Sequence, residues 1–158
     1  MAAEARLLLD SSVLLEFLLN QERADEVQRF FEGTPRAALH VTDFAFHSIA
    51  LILVSRKRKE MLARFVNDFL YIRGTTLVRL TPEEVVSLAT RTEELGLDFD
   101  DAYQYLAAEK HDLTLVSFDA DFDRTGRGRK TPAEVLEEPP IAHDRPSASK
   151  RRPRVRKA

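Results

Sequence analysis

Three short stretches of this chain carry residues whose type and spacing could do chemistry. Asp10 lies within LLLDSSVLLEFLL, Asp98, Asp100 and Asp101 within LGLDFDDAYQYLAAEK, and Asp119, Asp121 and Asp123 within LVSFDADFD. Asp10 poses the sharpest question, because it interrupts an apolar run. A charge set beside a core costs several kcal/mol unless it is paired or coordinates a metal. Carboxylates gathered without a lysine or arginine repel one another unless a cation sits among them. Mg²⁺ and Mn²⁺ are the oxygen-preferring ions that suit such a set, and they activate water and stabilise charge on a phosphodiester in transit. Taken singly, each aspartate also reads as a helix cap, Asp98 and Asp123 most of all. The metal reading therefore rests on whether the fold brings the stretches together.

The elements that must position them follow from hydrophobic pattern and capping. Arg6–Leu9 reads as a short buried strand, with Ser11 or Ser12 capping the next helix and Val13, Leu14, Phe17 and Leu18 on its inner face. A second helix fits ERADEVQRFFEG, with Gly33 as its stop. Ala38–Val41 is the next strand, and Thr42 or Asp43 caps a long helix through FAFHSIALILVSR. KEMLARFVNDFLYIRG predicts one continuous amphipathic helix ended by Gly74, followed by a β-branched strand at residues 75–80. Thr81 and Glu84 form a capping box with Pro82 at the first helical position and Gly96 as the stop. DDAYQYLAAEKH is a further helix, Leu113–Ser117 a strand, and TPAEVLEE a last helical turn. Strands alternating with helices predict an α/β fold, with a parallel sheet of about four to five strands covered on both faces. The carboxyl ends of such strands share one edge, where ligands bind at the point of reversal in strand order. Asp10, Asp101 and Asp119 are all delivered to that edge.

The chain of 158 residues divides by charge. Of its 24 basic and 26 acidic residues, seven basic and one acidic lie from Pro139 onward, so residues 139–158 carry +6 and residues 1–138 carry −8. That tail also holds four of the seven prolines, a composition that predicts disorder. Its Arg151, Arg152 and Arg154 could hold RNA, or the tail could be a solvated terminus. The absence of cysteine excludes disulfides, thiol chemistry and cysteine-ligated zinc. With no apolar run long enough to span a bilayer and no signal-peptide pattern at the start, the expected location is the cytoplasm, away from membranes.

LLLDSSVLLEFLL, together with LDFDDAYQYLAAEKHDLTLVSFDADF, resembles the opening and closing motifs of PIN-domain proteins. The matching residues are Asp10, Ser11 and Ser12, then Asp101-Ala102 with Ala107-Ala108, then Ser117, Asp119, Asp121 and Phe122. The resemblance spans roughly residues 5–136 and implies a three-layer α/β/α nuclease domain within residues 1–138. It implies Asp10, Asp101 and Asp119 as catalytic metal ligands for Mg²⁺ or Mn²⁺, and Asp121 as a weaker one. Ser11 or Ser117 would orient a carboxylate or phosphate. It further implies RNA as substrate, a small antitoxin protein as partner, and a homodimer. One departure stands out. The family's glutamate after the second strand is missing, its place being taken by His47 or Ser48, with Asp43 one turn earlier as a substitute.

Three functions are compatible with these residues. The first is a divalent-metal-dependent endoribonuclease, the toxin of a toxin–antitoxin module. The second is a non-catalytic or weakly active RNA-binding or assembly module with a degenerate metal site. The third, phosphoryl transfer through a nucleophilic aspartate, ranks lowest. Ser12 stands where a second aspartate is wanted, and no glycine-rich phosphate loop occurs.

Overall fold

A computed structural model describes residues 5–138. The basic tail, with Arg151, Arg152 and Arg154, lies outside the described residues. Along the chain run β1 (Leu7–Leu9), α1 (Ser11–Leu18), α2 (Ala24–Gly33), β2 (Leu39–Thr42) and α3 (Asp43–Ser55). There follow α4 (Lys59–Phe65), β3 (Thr76–Val78), α5 (Pro82–Leu95), α6 (Phe99–His111), β4 (Thr114–Val116) and α7 (Pro132–Glu137). The four strands are all parallel in the order β3-β2-β1-β4. Order reverses between β1 and β4, because the chain steps outward from β1 to β3 and then returns to β1's other side.

Side chains of successive strand residues point to opposite faces, and β1 uses both. Leu7 and Leu9 pack with Val13, Val27, Phe30, Ile49 and Leu53 of α1, α2 and α3. Leu8, between them, packs with Leu88 of α5 and with Ala102, Leu106 and Ala107 of α6. A strand buried on both faces must be apolar throughout, which is why it reads LLL. The result is the three-layer α/β/α arrangement expected from the pattern; β1, β4 and β3 are one, two and three residues shorter than the runs read as strands, and β2 is shifted by one residue. The free side of β4 is closed by a parallel bridge from Val116 to Lys130. Beyond it α7 turns back onto α2, where the Ala133 amide donates to the Glu26 carboxylate at 3.1 Å.

Two local expectations are corrected. The cap of α1 is Asp10 itself, accepting from the Ser11 amide, so Ser11 is the first helical residue rather than the cap. The helix from Lys59 is not uniform: Val66–Ile72 widens into π-helical turns. Phe65 and Phe69, four residues apart, both reach the core, their rings stacked at 5.4 Å. The capping box of α5 forms as read, with the Thr81 amide donating to Glu84 at 2.7 Å and the Glu84 amide to Thr81 at 3.3 Å. Gly96 ends that helix at φ +64°, a conformation glycine adopts without a Cβ clash. Thr81→Ala is expected to lower stability by about 1 kcal/mol, read as a shift in the urea midpoint at unchanged slope.

Candidate metal centre at the carboxyl edge of the sheet

Asp10 leaves β1 beside β4, where its amide donates to the Val116 carbonyl at 3.0 Å. This is the point of strand-order reversal. The Asp10 side chain is buried and accepts four hydrogen bonds. Oδ1 receives the Ser11 amide at 2.9 Å and Gln104 Nε2 at 3.2 Å. Oδ2 receives Ser12 Oγ at 2.9 Å and Ser117 Oγ at 2.7 Å. The opening question of the sequence has its structural answer here: a lone buried carboxylate persists because donors surround it.

Asp101 comes from the first turn of α6, whose N-cap is Asp98; the Asp101 amide donates to Asp98 Oδ1 at 3.1 Å. Asp119 follows β4 and caps the 3₁₀ turn Ala120–Arg124, taking the Asp121 amide at 2.9 Å. That loop is tied down twice. The Asp119 amide donates to Ser117 Oγ at 2.9 Å. Arg129 reaches across to the Ser117 carbonyl at 3.1 Å and pairs with Asp123 at 3.1 Å.

Asp101, Asp119 and Asp121 each present an oxygen within 4.8 Å of the others. Two oxygens on opposite sides of an Mg²⁺ ion stand about 4.2 Å apart, so the donor set has the right chemistry and nearly the right span for such an ion. Asp10, Asp98, Asp100, Asp101 and Asp119 line a common cavity of about 310 Å³ with no lysine, arginine or histidine among its described lining residues. Burial, then the charges of Asp98, Asp119 and Asp10 together with a hydrogen bond shared with Asp119, push the Asp101 carboxyl up to about 7. Burial first and like charge second disfavour the bare Asp101 carboxylate, and a cation held among these aspartates would offset that charge.

The remaining site candidates are distributed unevenly. Ser11 lines the acidic cavity, and Ser117 holds Asp10. Asp43 and His47 are not brought into the cavity. They line an adjoining groove with Arg79 and Tyr103. Asp43 there accepts the Tyr103 hydroxyl at 2.8 Å and the Phe44 amide at 2.8 Å, and burial and this carboxylate push Tyr103 up to about 12. From α3 it is Phe44, Ala45, Ser48 and Ile52 that face the acidic cavity, residues on one helical face. Of the two candidates for the missing glutamate's place, Ser48 therefore borders the carboxylates and His47 does not.

Sequence reasoning passed over Gln104 and Arg129. Gln104 is 3% exposed. The trace it left was an amide side chain inside an uncharged run of α6, residues 102–108, all of it buried. Arg129 left none, since its contacts depend on the return of the chain after the 3₁₀ turn.

Residues 7–128 match the family described as PIN domain. Among solved structures, the chain is similar to VapC20 of Mycobacterium tuberculosis, described as a sarcin–ricin loop cleaving toxin. Identity is 17%, with a TM-score of 0.63 over 77% of this chain and 95% of that one. It is similar to FitAcB from Neisseria gonorrhoeae at 18% identity, with a TM-score of 0.65 over 80% of this chain and 98% of that one. A toxin–antitoxin complex from Klebsiella pneumoniae matches at 18% identity, with a TM-score of 0.62 over 82% and 99% respectively. At such identities the likeness is one of fold. No curated protein matches the chain.

Proposed function

The chain belongs to the PIN-domain family, and from that premise we propose that it is a divalent-metal-dependent endoribonuclease that hydrolyses RNA phosphodiester bonds as the toxin of a toxin–antitoxin module. The observation that carries this reading is the convergence of Asp101, Asp119 and Asp121 at the carboxyl edge of the sheet. Those three carboxylates would hold Mg²⁺ or Mn²⁺. Such a cation, when bound, supplies Lewis acidity toward a phosphoryl oxygen and toward water. The chain's part is to fix the ligands: Asp98 sets the start of α6, Ser117 holds the turn that carries Asp119, and Asp10 adds negative charge behind them.

Purified protein incubated with a pool of structured RNA is expected to cleave with Mg²⁺ or Mn²⁺ and to stop with chelator. Asp119→Asn is expected to behave as the chelated enzyme does. Cleavage that persists in chelator or in that variant would sink the assignment.

One observation favours a second reading. Because Ser48 borders the cavity where the family carries glutamate, α3 contributes no carboxylate. A binding module with a weakened metal site predicts salt-sensitive RNA binding without cleavage. In either reading the acidic body needs help in holding RNA, and the tail residues Arg151, Arg152 and Arg154 are the proposed contacts.

Partners are proposed on the same footing. Similar proteins include one solved as a toxin–antitoxin complex, which supports a small antitoxin as partner here. Of the apolar residues at 13–18 and 61–70, Val13, Leu14, Phe65 and Phe69 are buried in the core. What remains is a groove of about 300 Å³ bordered by Leu14, Phe17, Phe31 and Met61. Leu51 and Val54 of α3, exposed at 71% and 58%, support a homodimer through that helix. No described helix is long and apolar enough to cross a membrane, and action on RNA supports a cytoplasmic location.

A further inference from the structure

We propose that the exposed turn from Arg56 to Lys59, between α3 and α4, holds the RNA backbone next to the scissile phosphate, and that its cations are kept there against the local preferences of the helices it joins. This deepens the nuclease reading and rests on RNA being the ligand of the acidic cavity.

The turn reads RKRK, and all four residues are exposed. Among the described residues none of the four side chains makes an ion pair or a hydrogen bond, and neighbouring Glu60 pairs with none of them. Elsewhere the acidic body matches cations to carboxylates, as Arg91 to Glu109 and Lys110 to Glu84. Four adjacent cations repel one another, and an anion laid across them removes that cost.

Helix geometry does not explain the run. At the end of α3 the Arg58 amide donates to the Leu53 carbonyl at 2.8 Å and the Lys57 amide to the Val54 carbonyl at 2.9 Å. Those two bonds make the Schellman motif, whose closing residue is left-handed and usually glycine. Here it is Lys57, at φ +57°, where a Cβ is strained. The same turn opens α4, with Arg58 at the N-cap and Lys59 as the first helical residue. Arg58 supplies no side-chain cap, where serine or aspartate would accept an orphan amide. The positive end of the α4 dipole disfavours Arg58 and Lys59 alike. Only Arg56, at the negative end of α3, sits where local electrostatics favours a cation without strain. At the other three positions a different residue type would make a more stable turn.

Position indicates which anion is met. Three helical turns are about 11 residues, so Arg56 continues the row of Ala45, Ser48 and Ile52 that faces the acidic cavity. It stands one turn, about 6 Å, beyond Ile52. A chain of phosphates that enters the cavity along α3 therefore passes the turn, and four successive cations suit several phosphates better than one. Backbone contacts of this kind fix register without reading bases. The turn thus supplies affinity and alignment, and base preference comes from other surfaces.

The test uses the full chain carrying Asp119→Asn, with Mg²⁺, and a fluorescein-labelled oligouridylate of about a dozen nucleotides, followed by anisotropy across a salt series. Lys57→Gly with Arg58→Ser removes two cations and gives both helices better ends. It is expected to raise the Tm while RNA affinity falls by more than about tenfold at about 50 mM salt. The salt slope should shrink by about 1.4, the share of two single-strand phosphate contacts. Arg56→Gln with Lys59→Gln, which leaves the closing residue of the motif alone, is expected to lose a similar share of the slope. Arg29→Gln with Arg36→Gln removes two exposed cations from α2 and from the amino edge of the sheet. Lying more than a Debye length from the cavity, they are expected to change affinity by less than about twofold.

Three results would overturn the proposal. The first is RNA affinity of both turn variants within about twofold of the parent, as a turn facing an acidic protein partner would give. The second is an equal loss in the Arg29 and Arg36 control, and the third is a lower Tm for Lys57→Gly with Arg58→Ser. Slope lost through the turn variants of a chain whose wild type cleaves nothing removes the nuclease reading and sustains this one. Wild type that cleaves RNA while the turn variants bind normally removes this one alone. Wild type that neither binds nor cleaves RNA removes both.

Discussion

Asp101→Asn is expected to reduce metal-dependent RNA cleavage by more than about a hundredfold, since even groups behind metal ligands cost 10–100-fold. The same substitution is expected to make the metal-free protein more stable at alkaline pH. Asp101 is raised from the ordinary 3.8 to about 7, by burial first and by Asp98, Asp119 and Asp10 after it. Between those values the folded chain keeps a proton that the unfolded chain has released. Stability contributed by the group is therefore present below pH 4 and lost as pH rises toward 7. Asparagine has no proton to lose. The advantage of the variant should grow from nothing at pH 4 to about 1–2 kcal/mol at pH 8, the full shift being reduced by solvent around a half-buried group. Urea melts in chelator at the two pH values measure it. A variant less stable than wild type at pH 8 would mean that the aspartates do not repel as their spacing requires. In wild type, Mn²⁺ must displace the same proton, so its affinity should fall by about tenfold per pH unit below 7.

Phe122→Ala is expected to cost about 3–5 kcal/mol, a large share of a total that is about 5–15 kcal/mol for domains of this kind. Phe122 is 0% exposed and packs in the cluster of Leu8, Leu113, Leu115 and Tyr105. It is also the anchor of the 3₁₀ turn, with Asp121 before it and Asp123 after it. Removing the ring leaves a cavity under the turn that holds Asp119 and Asp121, so Mn²⁺ binding should weaken along with stability. Equilibrium unfolding gives the first effect and Mn²⁺ titration of the folded variant the second. A cost below about 1 kcal/mol would show that the turn is held by its polar ties to Ser117 and Arg129 alone.

The two substitutions sample different layers of information. Phe122 and the aspartates around it are visible in the sequence because hydrophobic alternation and acidic clustering are local patterns with fixed periods. The same holds for the LLL of β1, the Thr81–Glu84 capping box, the Gly96 stop and the alternation of strands with helices. Each depends on residues within one turn or one strand of one another, where backbone geometry alone dictates what is near. The order of the elements and their direction then follow from chain connectivity and handedness, so the gathering of Asp10, Asp101 and Asp119 at one edge was legible as well.

Which of those carboxylates is open and which is enclosed was not legible, because it depends on contacts between residues far apart in the chain. Gln104 meets Asp10 across 94 residues and Thr42 across 62. Ser117 meets Asp10 across 107. The separation of Ser48 from His47, and the capture of Asp43 by Tyr103 from 60 residues away, follow from the rotation of α3 against α6. Rotation is set by how Ala45 and Ile49 pack into the core, and no repeat in the sequence encodes it. The layers, the edge and the supply of negative charge follow from patterns within single elements. Which donors face which carboxylates depends on how distant elements pack, since hydrogen bonding is directional at the scale of tenths of an ångström and hydrophobic patterning is not.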